Sequence, residues 1–248
     1  MLDKILVCCP TAKAKNYCFD SWLENVMNFS YPNFQIRMFD NTIDEGENAK
    51  YLNSVFEEKY GIEASIDGIF YAQNSIILNK SKSKNVIDNM VYSHNDCRDY
   101  MLKNNYLYML HLESDVFPHT DIIESLLFSR KKVIGGIYYV DEGVHRKLMI
   151  QKNHEMIFSD LIVSRFIDYE TDLNFINSNL QEVSHVGLGC VLIHRSVFKN
   201  IKFRYEKGGD CHPDSYFAED CFRNGIKIFA DTSKICRHDN RLWIFQVN

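Results

Sequence analysis

The segment Tyr106-Leu-Tyr-Met-Leu-His-Leu-Glu113-Ser114-Asp115-Val-Phe-Pro118 is an apolar, aromatic-rich run that ends in two carboxylates one residue apart. A run of this composition is typical of a buried strand at the centre of a sheet. Buried carboxylates are costly unless they are paired or bound to a metal, so stability gives no reason to place Glu113 and Asp115 at its end. In open α/β sheets ligands bind beyond the carboxyl ends of the strands, where oxygen ligands suit a divalent cation that carries a phosphate. The segment therefore predicts a metal and nucleotide site at the edge of an α/β sheet.

The rest of the chain predicts strands and helices in alternation. Strands are predicted at residues 4–9, 34–39, 133–140, 183–194 and 226–230, and helices at 16–29, 49–60, 86–103, 121–130 and 215–224. Strand, helix, strand, helix in this order indicates right-handed parallel units. Residues 62–83 are ambiguous, and residues 141–182 give a weak pattern with a hairpin near 147–152. The predicted fold class is α/β, with a mixed, mostly parallel central sheet flanked by helices.

Composition sets limits on the class of protein. A chain of 248 residues is near the upper limit for one hydrophobic core, so one domain spanning residues 1–248 is expected. The net charge of -5 argues against a surface built to bind nucleic acid non-specifically. No apolar run reaches the length of a transmembrane segment, and the N-terminus lacks the pattern of a signal peptide. The eight cysteines include no Cys-x-x-Cys pair, which indicates a reducing, cytoplasmic setting, or the host cytoplasm for a virus-encoded protein.

A second acidic pair, Glu219-Asp220, lies within a predicted helix. Acids in the first turns of a helix are stabilised by the helix dipole, which is reason enough for their presence. An acid beside a cleft is also placed to act as a general base, and adjacent helical residues point about 100° apart. Asp220 is therefore the candidate base and Glu219 a candidate acceptor-binding residue.

Two further features bear on the site. His238 follows a strand-like run, and a neutral imidazole is a common ligand for manganese and other divalent ions. Gly187-Leu-Gly189 lacks the third glycine and the following helix of a dinucleotide fingerprint. These glycines are predicted to let the backbone approach a substrate or to bend the strand.

Taken in chain order, these residues resemble the GT-A glycosyltransferases, enzymes with a Rossmann-like fold that move a sugar from a nucleotide donor. The resemblance covers about two thirds of the chain. It implies a nucleotide-binding half over residues 1–140 and an acceptor-binding, catalytic half over residues 141–248. The residues that it implies for binding the nucleotide donor are Pro10, Thr11, Asp40, Asn95, Arg98, Glu113 and Ser114.

The same resemblance implies a metal centre and a base. Glu113-Ser114-Asp115 stands where the family has its Asp-x-Asp motif, with Asp115 as the metal-binding acid. His238 matches a late histidine ligand, and Asp220 matches the base of the inverting members, with Glu219 beside it. Glu113 departs from the motif, which leaves it a supporting role.

The resulting hypothesis is a metal-dependent glycosyltransferase, with Mn2+ or Mg2+, that transfers a sugar from a UDP-type donor to an acceptor hydroxyl with inversion. The acceptor could be a glycan, a protein or a modified nucleic acid. A nucleotidyltransferase with a similar sheet is an alternative, although the loop from Pro10 to Lys15 has lysines but no glycines to hold a triphosphate. A non-catalytic module that binds sugar or nucleic acid is the other, because fold alone does not establish catalysis.

Overall fold

The computed structural model describes residues 2–60, 65–66, 76–80, 85–142, 145–151, 167–168, 179–206 and 212–239. The helices are α1 (Asn16–Met27), α2 (Glu47–Tyr60), α3 (Val86–Lys103), α4 (Ile122–Phe128) and α5 (Pro213–Arg223). The strands are β1 (Ile5–Thr11), β2 (Phe34–Asp40), β3 (Ser65–Ile66), β4 (Ile76–Lys80), β5 (Tyr108–Leu112), β6 (Val116–Phe117), β7 (Val133–Glu142), β8 (His145–Leu148), β9 (Ile150–Gln151), β10 (Ile167–Asp168), β11 (Leu180–Val183), β12 (His185–Val186), β13 (Cys190–His194) and β14 (Ile228–His238).

The central sheet has the strand order β10-β8-β7-β13-β5-β1-β2-β4-β3. From β5 to β3 every neighbouring pair is parallel, and β13 is inserted antiparallel between β5 and β7. The long strand β14 runs parallel to β7 and then pairs antiparallel with β6. This mixed α/β sheet with flanking helices confirms the predicted fold class. Strands from both halves of the chain belong to the one sheet, and a functional boundary near residue 140 stays a prediction.

Both faces of the sheet are covered, which explains the apolar strand sequences. In β1, Ile5 and Val7 point to the face that packs against α1, where Trp22 is fully buried. Leu6 and Cys8 alternate to the opposite face, in the core that α3 and α5 complete. Parallel strands buried on both faces read as continuous apolar runs, because neither set of alternating side chains meets solvent.

Several predicted elements differ from the observed ones. The predicted strand 183–194 is three short strands, with β12 leaving the main sheet to pair with β9. The hairpin predicted near 147–152 instead joins β7 to β8. The predicted last strand, 226–230, continues to His238, with a register shift between Asp231 and Ile235. Polar and partly exposed residues in this continuation obscure it in the sequence.

One cysteine pair adds a covalent link that the sequence did not predict. Cys8 in β1 and Cys97 in α3 form a disulfide between the sheet and the helix that covers it. Spacing could not reveal this pair, because packing of α3 onto β1 brings together residues far apart in the chain. The other described cysteines are all buried and lie outside this disulfide, and they are Cys9, Cys18, Cys190, Cys221 and Cys236. Among the residues described, no helix is long and apolar enough to span a membrane.

Candidate metal and nucleotide site

The carboxyl ends of three neighbouring parallel strands bring predicted nucleotide-binding residues to one edge of the sheet. Thr11, at the end of β1 and next to Pro10, donates its hydroxyl to Ser114 Oγ at 3.1 Å. The backbone N–H of Asn41, just after β2, donates to the Thr11 carbonyl at 2.8 Å. Asp40 is fully buried beside it. Pro10, Thr11, Asp40 and Ser114 therefore lie together, as the topological rule for open α/β sheets requires.

Asp40 is fixed within this edge by its own hydrogen bonds. Its Oδ1 accepts from the Thr42 hydroxyl at 2.6 Å and from Asn48 Nδ2 at 2.9 Å. The Thr42 hydroxyl also accepts from the backbone N–H of Lys13 at 2.7 Å. The loop after β1 and the loop after β2 are thereby tied to each other.

Glu113 and Asp115 do not lie on a straight continuation of β5. The backbone N–H of Val116 donates to the Glu113 carbonyl at 3.1 Å, which closes a β-turn through Ser114 and Asp115. Asp115 is fully buried, whereas Glu113 is half-buried. The turn makes the two carboxylates unequal and gives Asp115 the interior position.

Strand pairing places His238 beside Asp115. In the ladder between β6 and β14, His238 lies opposite Val116, and the N–H of Asp239 donates to the Asp115 carbonyl at 2.9 Å. His238 Nε2 is 3.4 Å from Asp115 Oδ2. His238 Nδ1 is 2.9 Å from the Tyr139 carbonyl, which can only accept, so Nδ1 carries a proton. In the neutral ring Nε2 is therefore the nitrogen with a lone pair, and it faces the carboxylate.

Lys15 completes the immediate surroundings of Asp115. Its Nζ contacts Asp115 Oδ2, and its side chain is partly exposed. Burial lowers the pKa of Lys15 below its ordinary value, and the negative charge of Glu113 is the main opposing influence. The sequence prediction passed over this lysine, because nothing in the spacing shows that the loop after β1 folds back onto Asp115.

The donor set fits a divalent cation. Asp115 Oδ1 is buried and accepts no hydrogen bond from the described part of the chain. A carboxylate oxygen with an imidazole nitrogen suits Mn2+, and a histidine ligand commonly donates its other ring N–H to a carbonyl. The described residues contain no group of three or more His, Cys, Asp or Glu side chains able to hold a metal. Phosphate and water oxygens would supply the other ligands, as they do at many Mg2+ sites.

Tyr138 forms one wall of this site and explains the two glycines. The backbone N–H of Gly189 donates to Tyr138 Oη at 3.1 Å, and the ring lies edge-on to His238 with centroids 5.1 Å apart. A Cβ on Gly189 would lie 2.5 Å from Tyr138 Cζ, and a Cβ on Gly187 would also collide with the phenol. These glycines make room for Tyr138 instead of for a substrate.

Asp220 and Glu219 belong to a separate charged cluster on α5. Arg204 donates to both carboxylate oxygens of Asp220, at 2.9 and 3.0 Å, and to Glu219 Oε2 at 3.0 Å. Glu219 also pairs with Arg223 one turn along the helix. Within the described part of the chain, no hydrogen bond or ion pair joins this cluster to Asp115, so a catalytic role for Asp220 stays a prediction.

Asn95 and Arg98 bind backbone in the loop that follows β13. Asn95 donates to the Phe203 carbonyl at 2.8 Å and accepts from the Phe203 N–H at 3.0 Å. Arg98 donates to the carbonyls of Ile201 and Phe198, at 2.9 and 2.6 Å. These bonds hold the loop against α3, and nucleotide binding by either residue stays a prediction.

A buried histidine cluster lies between the sheet and α5. His94 and His111 are both buried with ring centroids 4.4 Å apart, and burial lowers the pKa of each, that of His94 well below its ordinary value. His185 Nε2 lies 3.5 Å from Asp214 Oδ2. Although burial opposes it, the hydrogen bond with His185 holds the pKa of Asp214 below its ordinary value. Nothing in the spacing of these residues along the sequence predicts that they lie together.

Comparisons with known proteins are consistent with this architecture. No protein-family model and no curated protein matches the sequence. Among solved structures, the chain is similar to GalNAc-T7 with UDP, GalNAc and Mn2+, with a TM-score of 0.64 and 8% identity, over 96% of this chain and 44% of that chain. It is also similar to A197 from STIV, with a TM-score of 0.48 and 15% identity, over 95% of this chain and 85% of that chain. The likeness to GalNAc-T7 shows a GT-A-like fold, in a chain that spans less than half of that protein.

Proposed function

We propose that this protein is a metal-dependent glycosyltransferase that moves a sugar from a UDP-type donor to an acceptor hydroxyl. The observation that carries the proposal is the juxtaposition of Asp115 and His238 at the carboxyl ends of the parallel strands, where Asp115 Oδ1 has no hydrogen-bond partner among the described residues. Support comes from the GT-A-like fold and from a structural neighbour that binds UDP, GalNAc and Mn2+. These donors lie at the carboxyl ends of parallel strands, which is where ligands bind in open α/β sheets.

Asp115 and His238 would hold Mn2+ or Mg2+. A cation there would neutralise the charge that develops on the departing nucleotide diphosphate. Thr11, Asp40 and Ser114, which the loops hold together, would bind the nucleoside side of the donor. The β-turn at Ser114 lets one short segment contribute to both parts of the site.

In this proposal Asp220 takes the proton from the attacking acceptor hydroxyl, and Glu219 binds the acceptor. Arg204 engages both oxygens of Asp220 in the structure, so the base must release one of these hydrogen bonds as the proton arrives. Direct attack assisted by a base gives transfer with inversion. The acceptor would be a glycan, a protein or a modified nucleic acid.

Thermal shift measurements with UDP, UDP-sugars and UTP, each with and without Mn2+, test the proposal. We expect UDP and a UDP-sugar to raise the melting temperature only when Mn2+ is present, and Asp115→Asn to abolish that rise. Asp121→Asn is the matched control, because Asp121 is a half-exposed acid that pairs with Lys234 at 2.8 Å. Incubation with the stabilising UDP-sugar should then release UDP by slow hydrolysis or by transfer.

The other outcomes identify the alternatives. Stabilisation by UTP, followed by pyrophosphate release, would replace the proposal with a nucleotidyltransferase. Metal-dependent binding of UDP-sugar with no release of UDP, across acceptors of all three classes, would indicate a module that binds without catalysis. Failure of every nucleotide to raise the melting temperature would overturn the proposal.

A further inference from the structure

We propose that Lys15 is an internal counter-ion that takes the place of the cation while the donor is absent and moves to the donor's phosphates when metal binds. The inference rests on the proposed function, because it concerns access to the same metal site. It makes Lys15 a positioning residue that couples the binding of metal to the binding of nucleotide.

The first argument is electrostatic. Asp115 is fully buried, and a buried carboxylate without a partner is strongly unfavourable. His238 cannot supply the missing charge in its neutral form, because its Nε2 lone pair would face Asp115 Oδ2 at 3.4 Å. The Nε2 lone pair and the carboxylate oxygen would repel each other at this distance unless a positive charge lies close to both. Lys15 Nζ contacts Asp115 Oδ2 and provides that centre.

The second argument is mechanical. The backbone of Lys15 is fixed, since its N–H donates to the Ala12 carbonyl at 2.7 Å and its carbonyl accepts from Cys18 Sγ at 3.2 Å. Cys18 Sγ is also 3.2 Å from the Ser114 carbonyl, so the start of α1 and the turn before Asp115 form one unit. The lysine side chain reaches Asp115 from the solvent side and is 26% exposed. A flexible side chain on a fixed backbone can leave Asp115 without any movement of the sheet.

A thermodynamic coupling follows. Metal and ammonium compete for the Asp115 carboxylate. A metal that binds without nucleotide must therefore displace the Lys15 ammonium group. A diphosphate offers the displaced ammonium new oxygen partners at the same edge of the sheet. Nucleotide should therefore raise the affinity for metal, and metal should raise the affinity for nucleotide by the same factor.

The test is a titration of the metal-free protein with Mn2+, with free Mn2+ measured by electron paramagnetic resonance, in the absence and presence of UDP. Lys15→Met should bind Mn2+ alone roughly tenfold more tightly than the natural protein, because the competing unit charge is gone. The enhancement of Mn2+ affinity by UDP should shrink by roughly the same factor in this variant. Lys13→Met is the control, since Lys13 is exposed in the same turn and its backbone N–H bond to Thr42 is retained.

The outcomes separate this inference from the proposed function. If Lys15→Met binds Mn2+ no more tightly than the natural protein, Lys15 is not a competing counter-ion, although the metal site stands. If no variant binds Mn2+ with or without UDP, the metal site itself is rejected, and the displacement of Lys15 by metal is rejected with it.

Thermal unfolding of the metal-free variants examines the ion pair without any ligand. Lys15→Met should lower the melting temperature, and adding Asp115→Asn to it should recover most of the loss, because the buried charge is then removed. Lys15→Arg, which keeps the charge, should remain close to the natural protein. A loss that Asp115→Asn does not recover would overturn the counter-ion role.

Discussion

His238 Nε2 lies 3.4 Å from Asp115 Oδ2 because the end of β14 pairs with β6, the two-residue strand that follows the Asp115 turn. The Tyr139 carbonyl fixes the His238 ring from behind through Nδ1. Three separate segments therefore set the orientation of a single imidazole. An orientation fixed in this way is typical of a histidine that binds a metal.

Replacement of His238 by alanine should weaken Mn2+ binding in the presence of UDP by at least roughly 10–100-fold, the range found when only the hydrogen-bond partners of metal ligands are replaced. His119→Ala serves as the control, because that histidine is exposed near the same turn. Calorimetric titration with Mn2+ at saturating UDP gives the comparison. Equal affinities in the two variants would remove His238 from the metal site.

Gly189→Ala should destabilise the fold by about 1–3 kcal/mol, the usual cost of overpacking. The added Cβ would lie 2.5 Å from Tyr138 Cζ, so the phenol must shift, and with it the ring that packs against His238. Urea denaturation measures the effect. In a Tyr138→Leu background the same glycine substitution should cost much less, and an undiminished cost would mean that the glycine serves another purpose.

The sheet was predictable because burial on both faces imposes long apolar runs, as in β1 and β5. The predicted helix over residues 86–103 is confirmed to the residue, since Asn85 caps it with its side-chain oxygen. The predicted donors Asp115 and His238 do lie together. Their juxtaposition depends on a strand pairing that periodicity does not encode.

The missed contacts have a common physical origin. The lysine that meets Asp115, the disulfide between Cys8 and Cys97, and the phenol above Gly189 each join segments far apart in the chain. The local sequence pattern determines which face of a helix or strand is buried. It does not determine which residue of a neighbouring helix or strand that face contacts. The Ser114 turn was missed for another reason, because an extended continuation of β5 fits the residue types equally well.

Acidification should destabilise the protein from about pH 6.5 downward, through the histidine cluster. Burial holds the pKa values of His94 and His111 below the ordinary value, so these rings stay neutral in the folded protein while the unfolded chain binds protons. Above the pKa of the histidines in the unfolded chain, both states are neutral and the histidines do not affect stability. Below that pKa only the unfolded chain binds protons, so the free energy of unfolding falls as the pH drops. Each contributes a slope of up to about 1.4 kcal/mol per pH unit between its folded and unfolded pKa values.

Urea denaturation at several pH values between 7.5 and 5 would measure that slope. His94→Leu should flatten it, whereas His119→Leu, at an exposed position, should leave it unchanged. The negative charge of Asp214 raises the pKa values of both rings and so opposes the effect of burial. The pKa of Asp214 is itself lowered, so this carboxylate stays ionised throughout measurements above pH 5. A slope identical in His94→Leu and the natural protein would mean that folding does not lower the pKa of His94.

Asp220→Asn should lower turnover by roughly 10²–10⁴-fold, the contribution of a general base, while Mn2+-dependent UDP binding stays nearly intact. Arg204 supplies the discriminating partner, because it holds both oxygens of Asp220. If Asp220 served only this ion pair, Arg204→Gln would match Asp220→Asn in both turnover and melting temperature. If Asp220 is the base, turnover should fall much further in Asp220→Asn than in Arg204→Gln, although the two variants lose the same stability. Glu206→Gln is the control, since this exposed acid also pairs with Arg204, at 3.2 Å. Near-normal turnover in Asp220→Asn would exclude Asp220 as the base.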